Sequence, residues 1–269
     1  MKRIFHDLKI FLTTLLSCAA FISCEAQEST KTEEMKEPKV KQLRLEVLKE
    51  IPRKHIGFTQ GLFILDGKLY ESTGLYGKSK IRRIDLKTQR LEAGKDLPKE
   101  IFAEGLAPLP NGKMAQLSWR SKVGLIYDRK SLNVEKAFKY NTEGWGLATK
   151  DEQVVMSDGS DVLQFLHPTS LKVINKIKVT KEGKSVKDIN ELEWVGHFIY
   201  ANVWMKDEII KIDPETGKVI ASIDCSKIYP NRPKDSDAVL NGIAYDDDEE
   251  VFYITGKLWK NLYKVKFVE

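Results

Sequence analysis

Polar and apolar positions along this chain fall into short runs, bounded by Gly or Asp turns and rich in β-branched and aromatic residues, a pattern that predicts strands and argues against helices. One cluster recurs five times, at 58–62, 102–106, 143–147, 190–194 and 240–244: a polar side chain followed within a few positions by an apolar one, usually around a glycine. An apolar run follows each, at 68–72, 113–117, 153–157, 198–202 and 251–255, and then a third at 79–85, 122–128, 161–167, 208–213 and 262–267. In three units the third run closes on an Asp with Thr or Ser three residues on: Asp85 with Thr88, Asp128 with Ser131, Asp213 with Thr216. Such side chains bond nearby backbone groups and close a turn. The third unit puts His167 and Pro168 there instead, so its turn must close by other means.

A fourth, outer strand fits 90–97, 134–140, 173–179 and 219–225, but the chain ends before the fifth unit supplies one. The spare strand lies at the other end, at 43–51, and is expected to complete the last unit by pairing the two ends of the chain. The clusters recur about 40 to 50 residues apart, the period of a propeller blade. These observations predict an all-β fold, a five-bladed β-propeller over 43–269 whose ring is closed by the N-terminal strand in the last blade.

Residues 1–23 have the pattern of a signal peptide: Lys2 and Arg3 precede an apolar stretch, 10–23, too short to span a bilayer. The stretch ends in Phe21, Ile22, Ser23 and Cys24, which resembles a lipobox with Phe21 in place of the usual Leu and would make Cys24 the lipidated first residue. Cys18 and ordinary cleavage after Ala26 are the competing readings. Residues 24–42 are polar and charged, the composition of a disordered tether. The expectation is an exported, periplasmic or outer-membrane-anchored lipoprotein that meets the membrane only through this anchor.

Composition narrows the function. With 269 residues, 42% hydrophobic and 31% charged, the chain can bury one sizeable core. Its net charge of +5 has no Lys/Arg block behind it, and the leader carries off Lys2, Arg3 and Lys9 against Asp7 alone, so nucleic acid is not an expected partner. Past the leader, Cys225 is alone and His55, His167 and His197 are scattered, which argues against a catalytic zinc or a Cys–His nucleophile.

Neighbouring strands of a blade are antiparallel, so the start of the first and the end of the second share one face of the disc. That face should gather Gln60, Glu104, Glu143, Trp145, Asn190, Glu191 and Asn241 with Trp119, Arg120, Trp204, Lys257 and Trp259, four of the five Trp residues. Trp194 sits further into a strand. Aromatics with a few polar groups in a concavity suit a small-ligand site, while Gly61, Gly105, Gly146 and Gly242 are expected to serve close strand packing.

The strings FTQGL at 58–62, LSWRSKVG at 117–124, EGWGL at 143–147, NELEW at 190–194, YANVW at 200–204 and LNGIAYD at 240–246, with Thr255, Gly256, Lys257 and Trp259, run in unbroken order. Together they resemble the plant- and bacterial-type glutaminyl-peptide cyclotransferases, or glutaminyl cyclases. The resemblance implies a five-bladed propeller and an acyltransferase that turns N-terminal Gln of peptides or proteins into pyroglutamate with release of ammonia. It implies Glu104 as the acid/base residue, Gln60, Asn190 and Lys257 as positioning groups, and Phe58, Trp119, Trp145 and Trp204 as an aromatic cage. No cofactor or catalytic metal is required by that chemistry; a structural calcium in the axial channel is compatible with it, and the expected state is a monomer. From the residues alone Glu104, Glu143 and Glu191 are not separable as the acid/base group, and a non-catalytic propeller that binds a peptide, glycan or protein is the alternative. The connection at 226–239, with Tyr229, Pro230 and Pro233, is either a lid or substrate selector over the mouth or a plain insertion.

Overall fold

Alternation of inward apolar and outward polar side chains resolves into strands throughout the computed structural model, which describes residues 39–269. The leader, Cys24 and most of the tether lie outside the described residues. A long strand β1 (Lys41–Pro52) comes first. Three antiparallel meanders follow: β2 (Thr59–Leu65), β3 (Lys68–Thr73), β4 (Lys80–Asp85) and β5 (Leu91–Asp96); β6 (Ala103–Leu109), β7 (Lys113–Ser118), β8 (Val123–Asp128) and β9 (Val134–Lys139); β10 (Leu147–Lys150), β11 (Gln153–Met156), β12 (Val162–Leu166) and β13 (Val173–Lys178). A small hairpin not anticipated from the sequence, β14 (Thr180–Lys181) and β15 (Lys184–Ser185), leads to β16 (Ile189–Val195), β17 (Phe198–Val203), β18 (Glu208–Ile212) and β19 (Val219–Asp224). Last come β20 (Leu240–Asp246), β21 (Val251–Gly256) and β22 (Asn261–Val268).

The last seven of these strands join β1 in one eight-stranded sheet, in the order β16-β17-β18-β19-β1-β22-β21-β20. Within it β1 runs antiparallel to β22 from Arg44 opposite Val268 to Pro52 opposite Asn261, so the N-terminal strand is the outer strand of the β20–β22 meander. Its first residues, Lys41 to Leu43, also pair in parallel with β19. The first strand of each run, β2, β6, β10, β16 and β20, packs against the next, and β20 returns to β2.

At Gly61, Gly105 and Gly146 the neighbouring backbone comes so close that only glycine fits. A Cβ on Gly146 would lie 2.1 Å from the Asn190 carbonyl oxygen, and one on Gly105 would lie 2.5 Å from the Leu147 nitrogen. The Asp turns close as expected: Asp85 Oδ1 accepts the Thr88 amide at 2.8 Å and Asp128 Oδ1 that of Ser131 at 2.7 Å. At His167 the imidazole Nδ1 takes the carboxylate's part, accepting the amides of Thr169 at 3.2 Å and Ser170 at 3.3 Å. One expectation fails locally. In the third unit the polar cluster 143–146 is a loop and the strand begins at Leu147: Trp145 and Gly146 bond Ser157 beyond the end of β11, and the Trp145 carbonyl accepts the Gly105 amide of the neighbouring meander.

Behind β1, the chain turns a guanidinium into the interior. Arg53 forms an ion pair with Glu71, their side chains 3% and 0% exposed, and Glu71 also accepts the Thr59 hydroxyl at 2.7 Å. Arg53 reaches Thr255 as well, at 3.3 Å, so the start of the fold is tied to β2, β3 and β21 together. Removing Glu71 would strand the Arg53 charge away from water. Cys225 is a buried, free thiol whose burial pushes its pKa up, so it is an inert core residue.

Candidate active site

The polar side chains at the mouth owe their direction to a repeated irregularity. In β2, β6, β16 and β20 the pairing register shifts at the same place, between Thr59 and Gly61, Ala103 and Leu106, Ile189 and Leu192, and Leu240 and Ile243. A bulge re-aims the side chain it carries. The four bulges hold Gln60, Glu104, Asn190 with Glu191, and Asn241.

A cavity of about 350 Å³ is lined by Glu104, Gln60, Asn190 and Lys257 and walled by Phe58, Trp119, Trp145 and Trp204. Leu75, Phe102, Arg120 and Asp237 complete it. All eight side chains singled out for substrate and chemistry therefore share one opening. Glu104 is 4% exposed and accepts a hydrogen bond from Gln60 Nε2 at 3.0 Å. The other end of that amide is also engaged, since Gln60 Oε1 accepts Asn241 Nδ2 at 3.2 Å while Asn241 Nδ2 is donated to the Thr59 carbonyl at 2.9 Å. Asn190 differs: its Oδ1 is buried and accepts nothing from the protein. Lys257, 5% exposed, sets its ammonium 4.9 Å from the centre of the Phe58 ring.

Burial pushes the Glu104 carboxyl well above the usual range, against the opposing charge of Lys257 and with the help of Glu143. Burial likewise lowers the Lys257 ammonium, opposed by Glu104 and Asp237. A carboxyl and an amine brought toward neutrality from opposite sides are suited to moving protons. Around them the rings meet edge to face: Phe102 contacts Phe58 at 6.1 Å and Trp119 at 5.4 Å, and Trp145 contacts Trp204 at 5.8 Å.

The family model described as Glutamine cyclotransferase matches residues 15–267. The chain belongs to the glutamine cyclotransferase family. It is 39% identical over 227 residues to a glutaminyl-peptide cyclotransferase of Arabidopsis thaliana, covering 82% of this chain and 71% of that one. It also superposes on the crystal structure of Myxococcus xanthus glutaminyl cyclase with a TM-score of 0.79 at 32% identity, covering 86% of this chain and 99% of the other.

Four residues expected at the mouth of this cyclotransferase-family chain, Trp259, Glu191, Glu143 and Asn241, do not line the cavity. Trp259 is fully buried and packs on Tyr229 at 5.0 Å, with its indole donating to the Ala238 carbonyl at 2.9 Å. The left-handed backbone at Leu258, φ 62°, turns the indole back under the 226–239 connection, where it anchors that segment. Glu191 is also fully buried, and its two oxygens accept the amides of Leu62 at 3.1 Å and Ile243 at 2.7 Å. It ties β16 to β2 and β20 and does not line the cavity.

Two wall residues had weaker signals. Phe102 stands two positions before Glu104 as Phe58 stands two before Gln60, an offset visible in the sequence. Asp237 had no such signal, yet it brings the 226–239 connection to the edge of the cavity. Among the described residues no group of three or more His, Cys, Asp or Glu is placed to hold a metal ion. A second depression of about 760 Å³, with Phe165, Trp194 and Phe198 among its lining, opens at hairpin turns on the opposite strand ends and contains none of the candidate residues.

Proposed function

We infer that this chain cyclises N-terminal Gln of peptides or proteins to pyroglutamate with release of ammonia, with Glu104 as the acid/base group. The observation that carries this is the pairing of a buried, pKa-raised carboxyl with an unengaged buried acceptor, Asn190 Oδ1, and a buried ammonium in one aromatic-walled cavity. Nucleophile and electrophile belong to one residue, so the site need only hold the reactive conformer and relay a proton. As the α-nitrogen bonds to the carbon of the γ-carboxamide, Glu104 takes the proton that nitrogen loses. As the bond from that carboxamide carbon to the amide nitrogen breaks, Glu104 returns the proton and ammonia leaves, so the protein ends as it began.

The remaining roles follow from which groups are already engaged. Gln60 is bonded at both ends and therefore orients Glu104. Asn190 Oδ1 has its acceptor capacity to offer the substrate amine or amide N–H. Lys257 is the donor suited to the negative charge that develops on the γ-carboxamide oxygen. The four aromatic walls exclude water, which would otherwise divert the amide to hydrolysis.

The closed cycle of first strands and the outer position of β1 support a five-bladed propeller. Export and lipidation at Cys24 belong to the same reading and rest on residues 1–24 alone; metabolic labelling with a palmitate analogue, lost in Cys24→Ser, checks them. The activity itself is tested by incubating the protein with a Gln-initiated peptide and following ammonia. Activity should survive a chelator and fall about 10²- to 10⁴-fold in Glu104→Gln. Tight peptide binding with no ammonia would instead establish a binding protein.

A further inference from the structure

Glu143 stands beside the cavity without lining it. Its Oε2 accepts two indole N–H groups at once, from Trp119 at 2.6 Å and from Trp145 at 3.0 Å. Its Oε1 accepts Nε of Arg120 at 3.2 Å, and that guanidinium lies 3.8 Å from the centre of the Trp119 ring. An indole has one donor and no acceptor, so the direction of both bonds is unambiguous.

The position matters because the aromatic wall has two parts. Phe58 and Tyr76 meet Phe102, which meets Trp119; on the other side Trp145 meets Trp204. Trp119 follows β7 and Trp145 precedes β10, so the two parts hang on different meanders. Glu143 Oε2 is the atom at which both indole edges converge.

We propose that Glu143 is a positioning residue of the site, a carboxylate whose single oxygen fixes the spacing of Trp119 and Trp145 and so the fit of the slot that receives the Gln side chain. This rests on the cyclisation reading above and adds a residue to it. Burial alone would push the Glu143 carboxyl up, but the hydrogen bonds from Trp145, Trp119 and Arg120 outweigh it and hold the group below its usual range. It therefore stays ionised while Glu104 exchanges protons, and with both oxygens engaged it has no part in the transfer itself.

Two substitutions separate positioning from proton transfer. Glu143→Gln keeps a carbonyl oxygen with two lone pairs, enough for both indoles, whereas Glu143→Ala keeps none. With a Gln-initiated peptide, Glu143→Gln should retain kcat/KM within about fivefold of wild type, and Glu143→Ala should lose about 10- to 100-fold. Near-ultraviolet circular dichroism should show altered Trp bands in Glu143→Ala and wild-type bands in Glu143→Gln, with thermal melts confirming that all three proteins are folded.

A Glu143→Gln rate as low as that of Glu143→Ala would overturn the proposal, since it would mean the carboxylate itself is needed. A Glu143→Ala rate within about twofold of wild type would overturn it as well. If wild-type protein released no ammonia from any Gln peptide, the cyclisation reading would fail. The dichroism would still decide the clamp, because indole bands unchanged in Glu143→Ala would refute it.

Discussion

Gly105 sits beside the acid/base candidate at the closest approach of β6 to the next meander. A methyl group there would stand 2.5 Å from the Leu147 nitrogen, 2.6 Å from the Trp145 oxygen and 2.7 Å from the Gly146 carbon, all backbone atoms that no rotamer change can move. Gly105→Ala must therefore push β6 away from the loop that carries Trp145, and the bond from the Gly105 amide to the Trp145 carbonyl, now 2.6 Å, goes with it. Overpacking costs about 1–3 kcal/mol and the lost hydrogen bond about 1, giving about 2–4 kcal/mol together. In a domain of this size that is a fall of about 5–15 °C in Tm. The control is Gly94→Ala on outer strand β5, where the nearest atom, Ile81 O, would be at 3.5 Å, an ordinary contact. It should stay within about 0.5 kcal/mol of wild type. Calorimetry on both variants, with ammonia release on the same samples, reads the two consequences, since moving Trp145 relative to Glu104 should cut turnover beyond the loss of stability. Equal melting temperatures for Gly105→Ala and Gly94→Ala would refute backbone-to-backbone packing of the first strands.

Burial raises the Glu193 carboxyl to about 8, against a hydrogen bond from the Tyr245 amide and with a small push from Asp247. The fold thus prefers the neutral acid, so its contribution is whole below about 4.5 and is lost as pH climbs toward 8. Glu193→Gln keeps an acceptor for Tyr245 and removes the titration; its Tm advantage over wild type should grow from pH 5 to pH 8, and an advantage that does not change with pH would contradict the assignment. Deleting β1, which pairs with β22 over Arg44 to Pro52 and with β19 over Lys41 to Leu43, should leave two unpaired sheet edges. A protein starting at Ile51 is expected to lose its cooperative melt, and a wild-type dichroism spectrum from that truncation would show that β1 is dispensable.

What the sequence disclosed was whatever depends on residue type at a fixed offset. Strand order, the outer place of the N-terminal strand and the convergence of Gln60, Glu104, Asn190 and Lys257 all follow from antiparallel neighbours with a polar residue at each strand start. Features set by backbone sign or by distant partners were closed to it. Trp119 and Trp204 directly follow their strands, but in the last meander that place belongs to Lys257; Trp259 lies two residues further on, and the left-handed turn at Leu258 sends it into the core. Glu191 lies next to Asn190 on the same bulge, where regular alternation is broken, and the structure turns one of them outward and the other inward. The outward one lines the cavity, and the inward one holds two amides across the axis. The same logic separates the three acids left open at the start. Glu191 is spent on backbone donors and Glu143 on indoles, which leaves Glu104, bonded only through Gln60 at one oxygen, as the acid with an oxygen available to a substrate proton. Three carboxylates of identical chemistry thus stand in three different surroundings, a distinction made by hydrogen-bond partners that no string of residues records.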